Sequence, residues 1–199
     1  MRVTVIDYKA GNLTSVLKAL RHLGAETIVT DGDLALVESA ERIVLPGVGH
    51  FAATERLDAT GLTAGIRAAI ARGVPFLGIC VGMQWLYTGS SEAPEQAGLG
   101  QFVERCERFA EGDEKVPHVG WNSLDVREGS RLLKGVGAGE FVYFTHSYKA
   151  PVTADTAAVT TYIEPFAAAV ERENVMGVQF HPEKSGETGL RILGNFLGS

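Results

Sequence analysis

Cysteine is scarce in this chain. Only Cys80 and Cys106 occur among 199 residues, so no disulfide framework organises the fold. Neither cysteine stands at zinc-ligand spacing from any of the five histidines, and no metal or cofactor is expected. Positive charge is also short. Eighteen Lys and Arg against 24 Asp and Glu leave a net charge of -6, which offers no basic field to nucleic acid. No apolar run approaches the ~18 residues of a membrane span. The opening "MRVTVIDYKAGN" has too short an apolar core, interrupted by Asp7, to read as a secretory signal. A cytosolic protein with reduced thiols is expected. Repeats, low-complexity segments and long linkers are lacking too, so one domain over residues 1–199 is expected.

Short apolar strands alternating with amphipathic helices fill the first half. "RVTVID" (2–7), "ETIVT" (26–30), "RIVLPG" (42–47) and "VPFLGI" (74–79) read as strands. Leu13, Val16, Leu17, Leu20 and Leu23 recur at helical spacing before Gly24. "GLTAGIRAAIARG" (61–73) and "VGMQWLY" (81–87) are further helices, and 88–101 reads as loop. In the second half, 141–150, 157–163, 166–173 and 175–180 read as strands joined by short turns. Residues 166–173 would suit a helix on propensity alone. Residues 187–199 close the chain as a helix. The order predicts an α/β protein: an open, mostly parallel sheet with helices on both faces, three layers in all, and an antiparallel extension.

Chemistry concentrates in three places. "GICVG" sets Cys80 between Gly78 and Gly82, the G-x-nucleophile-x-G form of a strand-to-helix elbow. The helix start behind it favours thiolate, and the Val81 N–H is placed to hold an oxyanion. "HPEKS" supplies His181 with Glu183 two residues on, on one side of an extended segment, so that the carboxylate can orient the imidazole as a base. "PGVGHF" ends a strand at the same sheet edge. There Val48 or Gly49 can give a second oxyanion N–H, and Gly47 and Gly49 permit a peptide to reorient. Taken singly, a buried cysteine and two surface turns would be the ordinary reading. Cys106 lacks a glycine frame and reads as structural; His22, His50 and His118 read as helix surface, loop and loop.

Together "PGVG", "GICVGMQ" and "GVQFHPEKS" resemble class I glutamine amidotransferases over essentially the whole chain. "DYKAGNLTSV", "KVPHVGWN", "YFTHSY" and "HPEKS" resemble most the glutaminase branch of imidazole glycerol phosphate synthases. Val81 stands where that branch usually has leucine, and Lys9 where glycine is commoner. The resemblance implies a flavodoxin-like fold and a Cys80–His181–Glu183 triad that splits L-glutamine to glutamate and ammonia. It implies that ammonia passes to a (β/α)₈ cyclase subunit, in a heterodimer that makes imidazole glycerol phosphate and aminoimidazole carboxamide ribonucleotide. Glutamine would meet Gly47, Gly49, Gln84, His146, Ser147 and Tyr148, with Glu92 a weaker candidate. Asn12, Trp121, Asn122, Tyr143 and Lys184 would face the cyclase. Another branch of the family, a stand-alone cysteine hydrolase and a non-catalytic binding domain are the alternatives. The last would have no need of all three triad residues.

Overall fold

β-Branched strands and apolar helix faces build the first half of the sheet in chain order. β1 (Arg2–Ile6) leads to α1 (Leu13–His22), which buries Val16, Ala19 and Leu20. β2 (Glu26–Thr30), α2 (Leu34–Glu38) and β3 (Ile43–Gly47) follow, with Asp33 capping α2 by accepting from the Ala35 N–H at 3.0 Å. α3 (Glu55–Ala59) and α4 (Leu62–Ala71) lead to β4 (Phe76–Cys80), which is buried throughout. The computed structural model describes residues 1–10, 13–112 and 114–199. The chain continues through α5 (Val81–Gln84), β5 (Gly89–Ser90), β6 (Ala93–Ala97) and β7 (Glu107–Arg108). β8 (His118–Ser123), β9 (Asp125–Val126), β10 (Phe141–His146) and β11 (Tyr148–Lys149) come next. β12 (Thr156–Tyr162), β13 (Glu164–Arg172), β14 (Val175–Val178) and α6 (Gly186–Gly198) complete it.

Eight strands form the main sheet in the order β2-β1-β3-β4-β14-β13-β12-β9. β2, β1, β3, β4 and β14 pair in parallel, and β13, β12 and β9 extend the sheet antiparallel. The chain steps from β1 to β2 in one direction and returns past β1 to β3 and β4 in the other. Right-handed crossovers therefore put α1 on one face and α2 to α4 on the other. The packing agrees: α1 contacts α6, while α2 and α3 contact α4. The reversal between β1 and β3 opens a crevice at the carboxyl ends of the strands, where α/β sheets bind ligands. No helix among the described residues is long and apolar enough to cross a membrane.

Five local expectations change. The segment carrying His181 and Glu183, expected to be extended, turns as a 3-10 helix over Pro182–Lys184, with the Lys184 N–H donating to the His181 carbonyl at 3.0 Å. The helix expected over 81–87 is the single turn α5, because the carbonyls of Trp85, Leu86 and Tyr87 are taken by N–H groups of Leu99, Gln101 and Gly100. The expected loop 88–101 holds the β5–β6 hairpin. The strand expected over 141–150 breaks at Ser147 into β10, paired with β8, and β11, paired with β7. His118, expected in a loop, opens β8 and is buried. Residues 166–173 are strand as expected: β13 lies between β12 and β14 with Phe166–Val170 buried, so packing overrides helix propensity.

Gly78 and Gly82 are required by close approach. A β-carbon at Gly82 would overlap the Leu45 carbonyl, and one at Gly78 would overlap the Gly82 carbonyl and lie 2.7 Å from Met83 N. Gly194, inside α6, has no atom within 4 Å of such a carbon. Gly82→Ala should therefore destabilise by about 1–3 kcal/mol through forced backbone shifts. Gly194→Ala should be neutral or stabilising by up to about 1 kcal/mol. Urea unfolding of both variants checks the contrast, and equal effects would contradict it.

Candidate active site

The elbow forms as the glycine frame predicts. Cys80 ends β4 and precedes α5 with φ 54° and ψ -110°, a conformation that costs a side-chain-bearing residue energy. Its sulfur borders a cavity of about 210 Å³, lined with Gly49, Val81, Gln84, Glu92 and the Thr145–Tyr148 segment. That volume is below the ~300–1,000 Å³ of drug-sized sites and suits one amino acid. Among the described residues no lysine or arginine lines it.

His181 follows β14, the parallel neighbour of β4, and so arrives beside Cys80. Its Nδ1 bonds Glu183 Oε1 at 2.8 Å, and both side chains are buried. Burial alone would lower the His181 pKa. The Cys80 sulfur and the Glu183 carboxylate outweigh burial and raise it. Nε2 is buried and makes no hydrogen bond of ordinary geometry. The Glu183 carboxylate thus orients the His181 ring. Asp7, Lys9 and Ala10 lead into the neighbouring loop. Lys9 has φ 64°, which explains why glycine suits that position, and its N–H and Nζ both bond Asp7 at 2.9 Å.

The Val48 N–H donates to the Ala10 carbonyl at 3.0 Å. It is engaged in this conformation, contrary to the expectation of an available oxyanion donor, because the backbone of the loop before α1 lies against it. Gly49 does line the cavity, with φ 93°. Gly47 does not. It packs on Tyr8, whose hydroxyl a β-carbon at Gly47 would overlap, so Gly47 makes room for an aromatic side chain. The Tyr8 hydroxyl is buried without a partner, and burial raises its pKa.

Gln84, Ser147 and Tyr148 line the cavity as expected. His146 lines it too, but its nitrogens are spent elsewhere: Nδ1 meets the Tyr148 carbonyl at 2.9 Å and Nε2 meets His118 Nδ1 at 3.1 Å. Glu92, between β5 and β6, accepts from the Phe51 N–H at 2.7 Å and faces the cavity. The sequence left it a weak candidate because no firm motif aligns that segment. Pro117 and Thr145 also line the cavity and carry no sequence signal of it. Cys106 is fully buried, and burial raises its pKa, which keeps it an inert thiol. Among the described residues no group of three or more His, Cys, Asp or Glu could hold a metal.

Trp121, Tyr143 and Lys184 come together. The two rings meet edge to face at 6.2 Å between centroids, and Lys184 Nζ lies 5.6 Å from the Tyr143 ring centre. Trp121 is 56% exposed, with Val119 and Phe141 equally open on the same side of β8–β10. Asn122 alternates to the inner side, where its amide reaches His118 Nε2 at 3.4 Å and the Thr161 carbonyl at 3.1 Å. Its side chain is therefore not presented beside Trp121. Asn12 lies outside the described residues.

A model of the family "Glutamine amidotransferase class-I" matches residues 4–198. The chain belongs to the class I glutamine amidotransferase family. Among curated relatives, "Imidazole glycerol phosphate synthase subunit HisH" of Deinococcus radiodurans is 46% identical over 98% of this chain and 92% of its own. The protein of the same name from Aquifex aeolicus is 44% identical over 98% and 96%. A solved glutamine amidotransferase superposes with a TM-score of 0.77 at 21% identity, covering 99% of each chain. PurLQS from Thermotoga maritima gives 0.76 at 21% identity, covering 99% of this chain and 97% of that one. These two likenesses show the amidotransferase fold.

Burial lowers the pKa of His118 to about 4 and that of His146 to about 3. Both stay neutral in the folded amidotransferase yet protonate near 6.5 when unfolded. Their folded values lie below the unfolded one, so the stability they contribute is present above about pH 6.5 and is lost as pH falls toward 4. His181 has the opposite sign: its contribution is present at low pH and is lost in the alkaline range. Denaturation midpoints should fall from about pH 7 to 4.5, and His118→Phe should fall less because its unfolded chain gains one proton fewer. An equally steep acid loss in the variant would contradict the assignment.

Proposed function

We propose that this chain is the glutaminase subunit of an imidazole glycerol phosphate synthase, working as one domain over residues 1–199 in the cytosol. The observation that carries the chemistry is Cys80, strained on its elbow at an amino-acid-sized cavity, beside the buried His181–Glu183 pair. The Cys80 thiolate attacks the side-chain carboxamide carbon of glutamine. Its proton, held on His181, passes to the leaving ammonia, and a thioester remains. Water, deprotonated by His181, then cleaves the thioester to glutamate. Glu183 fixes the His181 tautomer throughout and supports the imidazolium.

Among the described residues Glu92 is the one carboxylate on the cavity wall, and it suits the substrate ammonium. Backbone groups of Ser147 and Tyr148 and the Gln84 side chain complete the pocket. Val81 supplies an oxyanion N–H from the first turn of α5. The second donor requires the Val48 peptide to leave Ala10 and turn toward the cavity, which Gly47 and Gly49 on either side permit. The resting chain is then a poor glutaminase.

The branch is supported by relatives of that name at 44–46% identity along nearly the whole chain. The partner is a (β/α)₈ cyclase in a heterodimer. The face of Val119, Trp121, Phe141 and Tyr143, with Lys184 beside it, meets the cyclase. Thr145 continues that strand face to the cavity, so ammonia has a short covered route across the interface.

Glutamate release by the purified chain should be weak alone and rise by at least about 10²-fold with a cyclase subunit and its nucleotide ligand, as expected when an oxyanion donor is gained. Full activity alone would overturn the subunit reading. Cys80→Ala should lose glutamine-dependent synthesis by about 10³-fold or more while ammonia-dependent synthesis by the complex persists. Retained glutamine turnover would remove Cys80 as the nucleophile.

A further inference from the structure

We propose that Gln179 is a further catalytic residue, whose side-chain amide holds the Cys80 sulfur in its reactive rotamer and meets the charge it carries as thiolate. The proposal rests on Cys80 being the nucleophile. Gln179 follows β14, is completely buried, and places its Nε2 3.6 Å from Cys80 Sγ. Its Oε1 accepts from Gln84 Nε2 at 3.1 Å.

The orientation of that amide is determined by a fixed acceptor. The Tyr148 carbonyl can only accept, and it lies 3.0 Å from Gln84 Nε2. The Gln84 nitrogen is therefore its NH₂ group, and its second N–H requires an acceptor, which must be Gln179 Oε1. The NH₂ of Gln179 is left facing sulfur. The same carbonyl fixes a second chain. His146 Nδ1 donates to it at 2.9 Å, His118 Nδ1 donates to His146 Nε2 at 3.1 Å, and the Asn122 amide approaches His118 Nε2 at 3.4 Å. Every donor in this row has one direction. Neutral histidines suit it, since protonation would set two donors against each other. Gln84 acts through Gln179 and is a positioning residue toward the sulfur; the histidine row ends on the Tyr148 carbonyl that Gln84 shares.

An N–H donor at sulfur strengthens when the sulfur is charged. In deacylation, water gives a proton to His181 and its oxygen bonds the carbonyl carbon. The C–S bond then breaks with its electron pair on sulfur, where Gln179 meets it. In acylation the same contact holds the thiolate before attack.

The test uses Gln179→Met, which keeps length and removes the donor, and Gln179→Asn, which withdraws the amide by one methylene. Cys80 alkylation by iodoacetamide is followed between about pH 5 and 9 on the chain itself, where thiolate fraction governs rate. Glutamine turnover is followed in the cyclase complex. The alkylation curve should move up by about one pH unit in Gln179→Met, and kcat should fall about 10- to 100-fold with KM within about threefold. Gln179→Asn should lie between Gln179→Met and the parent. Alkylation needs no glutamine turnover, so it reads the contact even where the glutaminase assignment fails. A buried glutamine that only fills space would leave the alkylation curve in place. An unmoved curve in either folded variant overturns the proposal.

Discussion

Two backbones in direct contact hold the site. At Gly82 the first turn of α5 lies against the Leu45 carbonyl of β3, and at Gly78 strand β4 lies against that same turn, with no space for a β-carbon at either place. This contact lets Cys80 turn sharply at the edge of the sheet in a conformation that side chains rarely adopt. The strain is local and small, of order 1–3 kcal/mol. It is offset by a parallel sheet whose central strands are buried throughout. The position of Cys80 follows from this packing, and that of His181 follows from β14 being the next strand.

Around that elbow the fold gives three histidines two different characters. His181 has a carboxylate on one nitrogen and a sulfur near the other, and it favours the proton. His118 and His146 sit among Phe109, Phe144, Tyr162 and Phe166, with His118 stacked 4.1 Å from the Tyr162 ring centre. Burial keeps both neutral, and among the described residues no carboxylate bonds either ring. Imidazoles packed close together thus differ: one favours the proton, and two stay neutral.

Much of this was legible in the chain. The strand–helix alternation and the elbow rest on local rules of spacing and turn chemistry, and those rules held; the His181–Glu183 bond forms too, but on a 3-10 turn over Pro182–Lys184 and not on the extended segment expected. Residues 166–173 were legible too, though only against their helix propensity. The short helix after Cys80 and the break at Ser147 depend on hydrogen bonds between segments distant in sequence. The β5–β6 hairpin is local, but a two-residue strand with a shifted register leaves no alternation to read. His118 looked like a loop residue because nothing near it reveals that its partner is His146, 28 residues away. Gly47 looked like a ligand contact because a glycine that admits Tyr8 carries the same letter as one that admits substrate. Glu92 had no motif, and its place is given by the Phe51 amide it accepts from.

The Val48–Ala10 bond joins two main-chain groups. Such a bond is worth only about 0.5–1.5 kcal/mol net. Its release therefore costs little energy. Because no side chain takes part, substitution at Ala10 or Val48 leaves the donor and acceptor in place, and an alanine scan would pass over this control point. Its strength can be tuned only through neighbours that bend the backbone, Lys9 among them, or tested by chemical synthesis of a chain with an ester in place of that amide.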